Sequence, residues 1–331
     1  MADEFKFAIV GSGNIGGTYA TAVGKVPGAS VVGIVSRSGA RPKGVSDDTP
    51  VAPSLRELSV PYDAVILATP NGAHHKGAIE AAKLGKHVLT EKVLDITIEA
   101  MDSMTAACEK AGVKLGVSFQ RRVSPDNIAV KKLLDQGALG RVFAADLNVK
   151  FFRDQAYYDS APYRGGKAID GGGPFIQQAA HNVDILCWFF GLPDKVVSML
   201  GTFVHNIEGE DHGAALLRYP NGMIGTLIAS TATKPGFAAK LEIFGEKGAV
   251  ILENDVISTW DVEGVENPSK TKDFKVHSGA SNAAVSETEG HETIISDFIA
   301  AVRENRDPIV PPSSARMATE LVLRIYAKDI K

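Results

Sequence analysis

Residues 7–17 read FAIVGSGNIGG. A short apolar run empties into Gly11, Gly13 and Gly16 at GxGxxG spacing, and the residues that follow suit a helix. In that setting each glycine has its own task. Gly11 makes a tight turn, Gly13 lets backbone approach a pyrophosphate, and Gly16 lets the helix pack close to the strand. Ser12, Asn14 and Ile15 complete the loop, whose helix offers free N–H groups and the positive end of its dipole to phosphates. A lone GxGxxG is weak evidence; the strand before it and the helix after it give it weight.

The pattern around the loop repeats. FKFAIV (5–10), SVVGIV (30–35), DAVILAT (63–69), KHVLT (86–90) and VKLGVSF (113–119) are short and apolar enough for strands buried on both faces. Ala-rich helical stretches, HHKGAIEAAKLG (74–85) and TIEAMDSMTAACEKAG (97–112), lie between them, the second ending on a glycine stop. Strand and helix in alternation predict a parallel, doubly wound Rossmann sheet over residues 1–123.

After residue 123 the rhythm changes. A helix (DNIAVKKLLDQG, 126–137) precedes RVFAADLNVKFF (141–152), a glycine-rich segment and a series of strand-like runs. Asn221-Gly222, Gly245–Gly248 and Asn254-Asp255 read as tight turns. Residues 124–331 are therefore expected to form an α+β domain on a large open, mostly antiparallel sheet. A loop is expected over 269–287, then helices near 288–304 and 313–329, the last packing back on the first domain.

Composition narrows the function classes. The chain has 331 residues, long for one core and ordinary for two. A net charge of −4 without a concentrated basic face argues against nucleic acid. Its two cysteines form no CxxC pair, so neither a disulfide framework nor a zinc site is expected. The acidic start, MADEFKFAIV, does not read as a signal peptide, and ILCWFFGL (185–192) is too short to span a bilayer. A cytoplasmic protein is the expectation.

The end of the second strand bears on the nucleotide. Chains that bind NAD commonly carry an acid there for the ribose hydroxyls; this one has Ser36 and then Arg37. A carboxylate would repel a 2′-phosphate, whereas a hydroxyl and a guanidinium can bind one. NADP(H) is the predicted cofactor, with NAD the alternative.

Residues 66–94, ILATPNGAHHKGAIEAAKLGKHVLTEKVL, resemble the Gfo/Idh/MocA oxidoreductases, relatives of glucose–fructose oxidoreductase and inositol 2-dehydrogenase. The resemblance continues through VSFQRRVSP (117–125), GALGRV (137–142), RYPNGMIGTLIAS (218–230) and LEIFGEKGAVILE (241–253), nearly the whole chain. It implies that Ala68, Thr69, Pro70, Asn71 and His74 line the cofactor and that Glu91 lies near the nicotinamide ribose. It assigns Lys92 as the group that exchanges a proton with substrate; desolvation and a neighbouring positive ring would lower the pKa of such a lysine. The family's usual Glu-Lys-Pro is here Glu91-Lys92-Val93, which leaves the placement of Lys92 without the proline's constraint.

Residues 168–184, AIDGGGPFIQQAAHNVD, admit three readings. A helix over 173–190 would put Gln177, His181 and Asp184 on one face. A metal site needs three or more converging ligands, and an amide is a poor one. A polar stripe under an interface would also fit. The resemblance favours the third, the family's GGGxxxxxxxHxxD segment, whose histidine faces substrate and helps handle the proton. Gly171–Gly173 would then let backbone approach the nicotinamide end of the site, while Asp184 would orient the imidazole or serve packing. Many relatives carry Asp at the position of Gln177, and nucleotide-sugar dehydrogenases carry an amide. YYDSAPYRGG (157–166) resembles the YYDSxxWRG of that second group, with Tyr163 in place of Trp. Lys92 and His181 are thus the expected catalytic pair, with Gln120, Arg122, Tyr163, Arg164 and Gln177 around the substrate. The implied substrate is a secondary alcohol or ketone of a sugar, inositol or sugar derivative, and the implied assembly a homodimer or homotetramer. An NAD-retaining glycoside hydrolase and a non-catalytic NADP(H) sensor are the alternatives.

Overall fold

The computed structural model describes residues 4–269 and 288–329. In chain order the strands are β1 (Phe5–Val10), β2 (Ala29–Val35), β3 (Val51–Ala52), β4 (Ala64–Leu67), β5 (His87–Thr90), β6 (Leu115–Val117), β7 (Val142–Lys150), β8 (Lys195–Gly201), β9 (His212–Arg218), β10 (Ile224–Ser230), β11 (Lys240–Gly245), β12 (Gly248–Glu253) and β13 (Val256–Val262). The α-helices are α1 (Asn14–Lys25), α2 (His74–Lys83), α3 (Ile98–Ala111), α4 (Pro125–Asp135), α5 (Gln155–Asp159), α6 (Ala180–Phe190), α7 (Glu289–Glu304) and α8 (Pro312–Ala327). They fall into two compact units, the first from the described parts of Met1–Gln120 and Val285–Arg316, the second from those of Arg121–Ala284 and Met317–Lys331.

The first unit is built on an all-parallel sheet in the order β3-β2-β1-β4-β5-β6. All four residues of β4 are buried, as expected of a parallel strand covered on both faces. The order reverses between β1 and β4, and open α/β sheets bind ligands at the carboxyl ends of the strands beside that switch. Local chemistry agrees with the layout: Thr97 Oγ1 accepts the Ala100 N–H to start α3, and Gly112 ends it in the left-handed region at φ 67°. Two-residue β3 is too short to leave a periodic signature.

This division differs from the contiguous domains 1–123 and 124–331 expected from sequence. The chain returns to the first unit because α7 carries an apolar face, Ile294, Ile295, Phe298 and Ile299, that is buried there. Phe298 lies where a Cβ on Gly116 of β6 would stand, and His291 meets Tyr19 of α1 edge-on.

The second unit carries a seven-stranded sheet in the order β13-β12-β11-β7-β10-β9-β8, antiparallel throughout except for β7 beside β10. The turns follow the sequence. Gly222 takes φ 86° between β9 and β10, and Asn254 and Asp255 take φ 48° and 66° between β12 and β13, the left-handed pair of a tight hairpin. One sheet face is core, with Ala145, Leu147 and Val149 of β7 buried and α6 packed on that strand. The other exposes Val197, Met199, Leu216 and Ile224; Val197 and Leu216 are register partners. The loop expected over 269–287 lies, apart from Ser269, outside the described residues. No helix among the described residues is long and apolar enough to cross a membrane.

Candidate active site

The first unit gathers most of its predicted cofactor residues at the carboxyl edge of its sheet. Gly11 follows β1 at φ 117°, and a Cβ there would run into the carbonyl of Ala68, which follows β4. A Cβ on Gly16 would stand 2.8 Å from the Gly11 carbonyl oxygen, whereas one on Gly13 would meet nothing within 4 Å. Two glycines therefore close the loop against the protein, and the third leaves it bare on the outside. Gly13 is the N-cap of α1 and supplies no side-chain cap, so the first-turn N–H groups of Asn14, Ile15 and Gly16 stay available. Ser12 and half-buried Ile15 flank them. Thr69 Oγ1 is buried without a hydrogen-bond partner among the described residues. A bare glycine, an uncapped helix start and an orphaned hydroxyl along one edge fit a dinucleotide.

At the end of β2, Ser36 is buried and its hydroxyl lies 3.2 Å from Ser12 Oγ, to which it donates, and 3.1 Å from Ser38 Oγ. Gly39 N–H bonds back to the Ser36 carbonyl, which turns exposed Arg37 outward. Ser36 holds the position at this strand end where NAD-binding chains commonly carry an acid.

Pro70 opens a 3₁₀ turn, Asn71–Ala73, that leads into α2. His74, expected at the cofactor, is instead fully buried: its Nδ1 lies 2.8 Å from the Val93 carbonyl oxygen and its Nε2 3.0 Å from that of Thr69. Carbonyls only accept, so a ring with one N–H satisfies one contact and a doubly protonated ring both. His74 braces two loops from behind, because its position at the start of α2 aims it into the sheet edge.

Glu91 and Lys92 follow β5. Glu91 is 7% exposed, and Lys92 is half-buried with its N–H donated to Glu91 Oε2 at 3.0 Å. The Lys92–Val93 peptide bond is cis, although no proline is present. Gln120, beyond β6, lies against the start of α7, where a Cβ on Gly290 would stand 3.1 Å from its side chain.

In the second unit the helix expected over 173–190 starts only at Ala180. Before it, Ala179 N–H reaches five residues back to the Pro174 carbonyl, and Gln177 N–H reaches Gly173. Glu210 takes the N–H groups of Gly173 and Phe175. The Ala179 bond makes a turn wider than an α-helix, so Gln177 and His181 do not sit one regular helical turn apart. Gln177 donates to the Asp170 carbonyl at 2.7 Å, and His181 is half-buried in the first turn of α6.

Gly172 and Gly173 are required by packing from within. A Cβ on Gly172 would strike the Tyr326 hydroxyl, and one on Gly173 the Glu210 carbonyl oxygen. The expected role, close approach to a ligand, gives way to this: Tyr326 donates to Glu210 Oε1 at 3.0 Å and the pair fills the space beneath. Burial pushes the Glu210 carboxyl above its ordinary range.

Asp184 holds Arg122. Arg122 Nε donates to Oδ2 at 2.7 Å and Nη2 to Oδ1 at 2.6 Å, both side chains nearly fully buried. Burial pushes the Asp184 carboxyl up to about 6 although the guanidinium beside it pulls the other way. Of the two roles considered for Asp184, packing is the one its partner supports, and Arg122 is committed to that pair. Tyr163 is half-buried, and Arg164 stacks on Tyr157 with 4.3 Å to the ring centroid. Tyr19, His291, Glu210 and Tyr326 had no place in the sequence reading. No local motif marks them, and each reaches its partner across a large sequence separation.

Two family descriptions match the chain in order: an oxidoreductase family with NAD-binding Rossmann fold over residues 5–119, and the GFO/IDH/MocA C-terminal domain over residues 128–251. The crystal structure of the WlbA dehydrogenase from Bordetella pertussis, in complex with NADH and UDP-GlcNAcA, is similar over 98% of this chain and 96% of its own. The identity is 30% and the TM-score 0.83. Inositol 2-dehydrogenase from Rhizobium meliloti is 25% identical over 331 residues, 95% of this chain and 93% of that one. A scyllo-inositol 2-dehydrogenase (NADP(+)) from Bacillus subtilis is 26% identical over 216 residues, 64% of this chain and 59% of that one. With both domain descriptions matched and a nearly full-length relative at that identity, the chain belongs to the Gfo/Idh/MocA family of oxidoreductases, with an NAD-binding Rossmann domain at its start.

Proposed function

We propose that the protein is an NADP(H)-preferring dehydrogenase or reductase acting on a secondary alcohol or ketone of a sugar, inositol or sugar derivative. The observation that carries the proposal is Lys92 at the carboxyl edge of a sheet whose Gly13 face is left bare for a dinucleotide. When bound, the nicotinamide supplies the hydride acceptor or donor. Lys92 takes the hydroxyl proton in oxidation and returns it in reduction, and His181 assists; an amide at Gln177 cannot take that part. Gly11–Gly16 and Thr69 bind the phosphate end, while Ser36 and Arg37 accept a 2′-phosphate. Gln120, Tyr163, Arg164 and Gln177 are the proposed substrate-binding side chains. The WlbA relative, whose complex contains UDP-GlcNAcA, supports including nucleotide sugars among the candidates.

The exposed apolar sheet face around Val197, Met199 and Leu216 supports a homodimer or homotetramer, and two free, buried cysteines suit a cytoplasmic location. The test is a panel of sugars, polyols and nucleotide sugars assayed with NADP and NAD separately, alongside Lys92→Met and His181→Ala. Loss of turnover with retained cofactor binding is expected. Near-wild-type turnover in both variants refutes the catalytic pair, and a strong preference for NAD refutes the cofactor assignment.

A further inference from the structure

Resting on that reading of Lys92, we propose that Tyr19 is a positioning residue for Lys92 and acts through the Glu91 carboxylate. Glu91 divides its two oxygens: Oε2 accepts the backbone N–H of Lys92 at 3.0 Å, and Oε1 accepts the Tyr19 hydroxyl at 2.9 Å. Tyr19 is fully buried and belongs to α1, the helix that opens from the glycine loop. One helix thus carries the bare loop at its start and, within its second turn, the hydroxyl that fixes the backbone of the lysine.

A buried carboxylate is costly unless donors satisfy it. Among the described residues, the hydrogen-bond donors to Glu91 are a phenol and the amide of the residue it orients. His291 of α7 closes the far side, edge-on to Tyr19 with centroids 5.3 Å apart and its Nε2 3.9 Å from Glu91 Oε1, beyond hydrogen-bond reach. That distance leaves Tyr19 as the directional partner of that oxygen among the described residues, and burial lowers the imidazole's affinity for a proton. Beyond Lys92, the Val93 carbonyl is met by His74. The backbone of the lysine is therefore gripped before and after, and only the first grip depends on Tyr19. Held geometry of this kind acts on turnover more than on ground-state binding.

Tyr19→Phe removes one hydroxyl and keeps the ring that packs against His291. A hydrogen bond to a charged group corresponds to roughly a tenfold or larger change, so kcat is expected to fall about tenfold while KM and cofactor Kd stay within about twofold. In the Glu91→Gln background the same change should add little, since both act on one path. Isotope-labelled reductive methylation of Lys92, followed by NMR without cofactor, should give a different titration midpoint in Tyr19→Phe than in the parent protein. Wild-type kcat together with an unshifted Lys92 titration overturns the proposal, as does additivity with Glu91→Gln. Lys92→Met separates the two claims: if it stays active, the underlying reading falls and this proposal with it. If it is inactive while Tyr19→Phe behaves as wild type, only the positioning role falls. Should Tyr19→Phe not fold, Glu91→Gln is read in its place, where unchanged kcat overturns the proposal and a kcat loss at constant cofactor Kd supports it.

Discussion

Asp184→Asn removes one charge and leaves the Arg122 guanidinium buried opposite an amide that cannot neutralise it. Arg122 is 2% exposed and uses two of its donors on this carboxylate, so little water can replace the lost partner. Breaking a buried pair from one side costs about 3–5 kcal/mol, whereas exchanging both partners for apolar side chains of similar volume is often neutral. The difference arises because desolvation is suffered by each charge separately, and the same desolvation pushes the Asp184 carboxyl up to about 6. The chain's two tryptophans, Trp188 and Trp260, both belong to the second unit, and Trp188 lies 5.8 Å from the guanidinium. Their fluorescence during urea unfolding therefore reports that unit. With a slope of about 2 kcal/mol/M, the expected loss moves the midpoint down by roughly 2 M. Arg122→Met with Asp184→Leu should recover most of it. A midpoint shift below about 0.5 M in Asp184→Asn, or a double variant as unstable as the single one, refutes the reasoning.

Three further outcomes follow from the first unit. Gly11→Ala places a Cβ against the Ala68 carbonyl at φ 117°, so NADP(H) affinity measured calorimetrically should fall at least about tenfold; retained affinity contradicts the loop geometry. Ser36→Asp introduces a carboxylate where a 2′-phosphate is proposed to bind, and the ratio of kcat/KM for NADP over NAD should drop more than about tenfold. An unchanged ratio removes Ser36 from cofactor choice. His291 has its proton affinity lowered from the ordinary 6.5 by burial, so the unfolded chain takes up that proton first. Its contribution to stability is complete above about pH 6.5 and is lost as pH falls toward the folded value. Unfolding midpoints between pH 7 and pH 5 should decline less in His291→Leu than in the parent, and equal slopes refute the assignment.

The parallel sheet was legible because its signals are local. Short apolar runs, helices between them and one glycine spacing define five of the six strands of the parallel sheet without reference to distant residues. The turns of the second sheet were legible for the same reason, since Asn221-Gly222 and Asn254-Asp255 carry the backbone preference themselves. What sequence did not disclose depends on contacts across long separations. The start of α6 is set by Glu210, more than thirty residues beyond Gly173, through N–H groups that an uninterrupted helix pattern leaves unassigned. The membership of α7 in the first unit depends on Phe298 meeting β6. The resemblance implies His74 at the cofactor, yet both its nitrogens face backbone carbonyls.

Two glycine runs that look alike in one dimension are opposites in space. Around Gly13 the position of a missing Cβ is open, so the absence of a side chain serves whatever approaches from outside. Around Gly172 and Gly173 the same position is filled by Tyr326 and Glu210, so the absence serves the interior. The difference decides what a methyl group would damage. At Gly13 it would intrude on a ligand and spare the fold; at Gly173 it would displace the carboxylate that terminates the turn before α6, and with it the segment on which His181 rides. The second run still bears on chemistry, but at one remove: it lets a buried acid and phenol set where the histidine's helix begins.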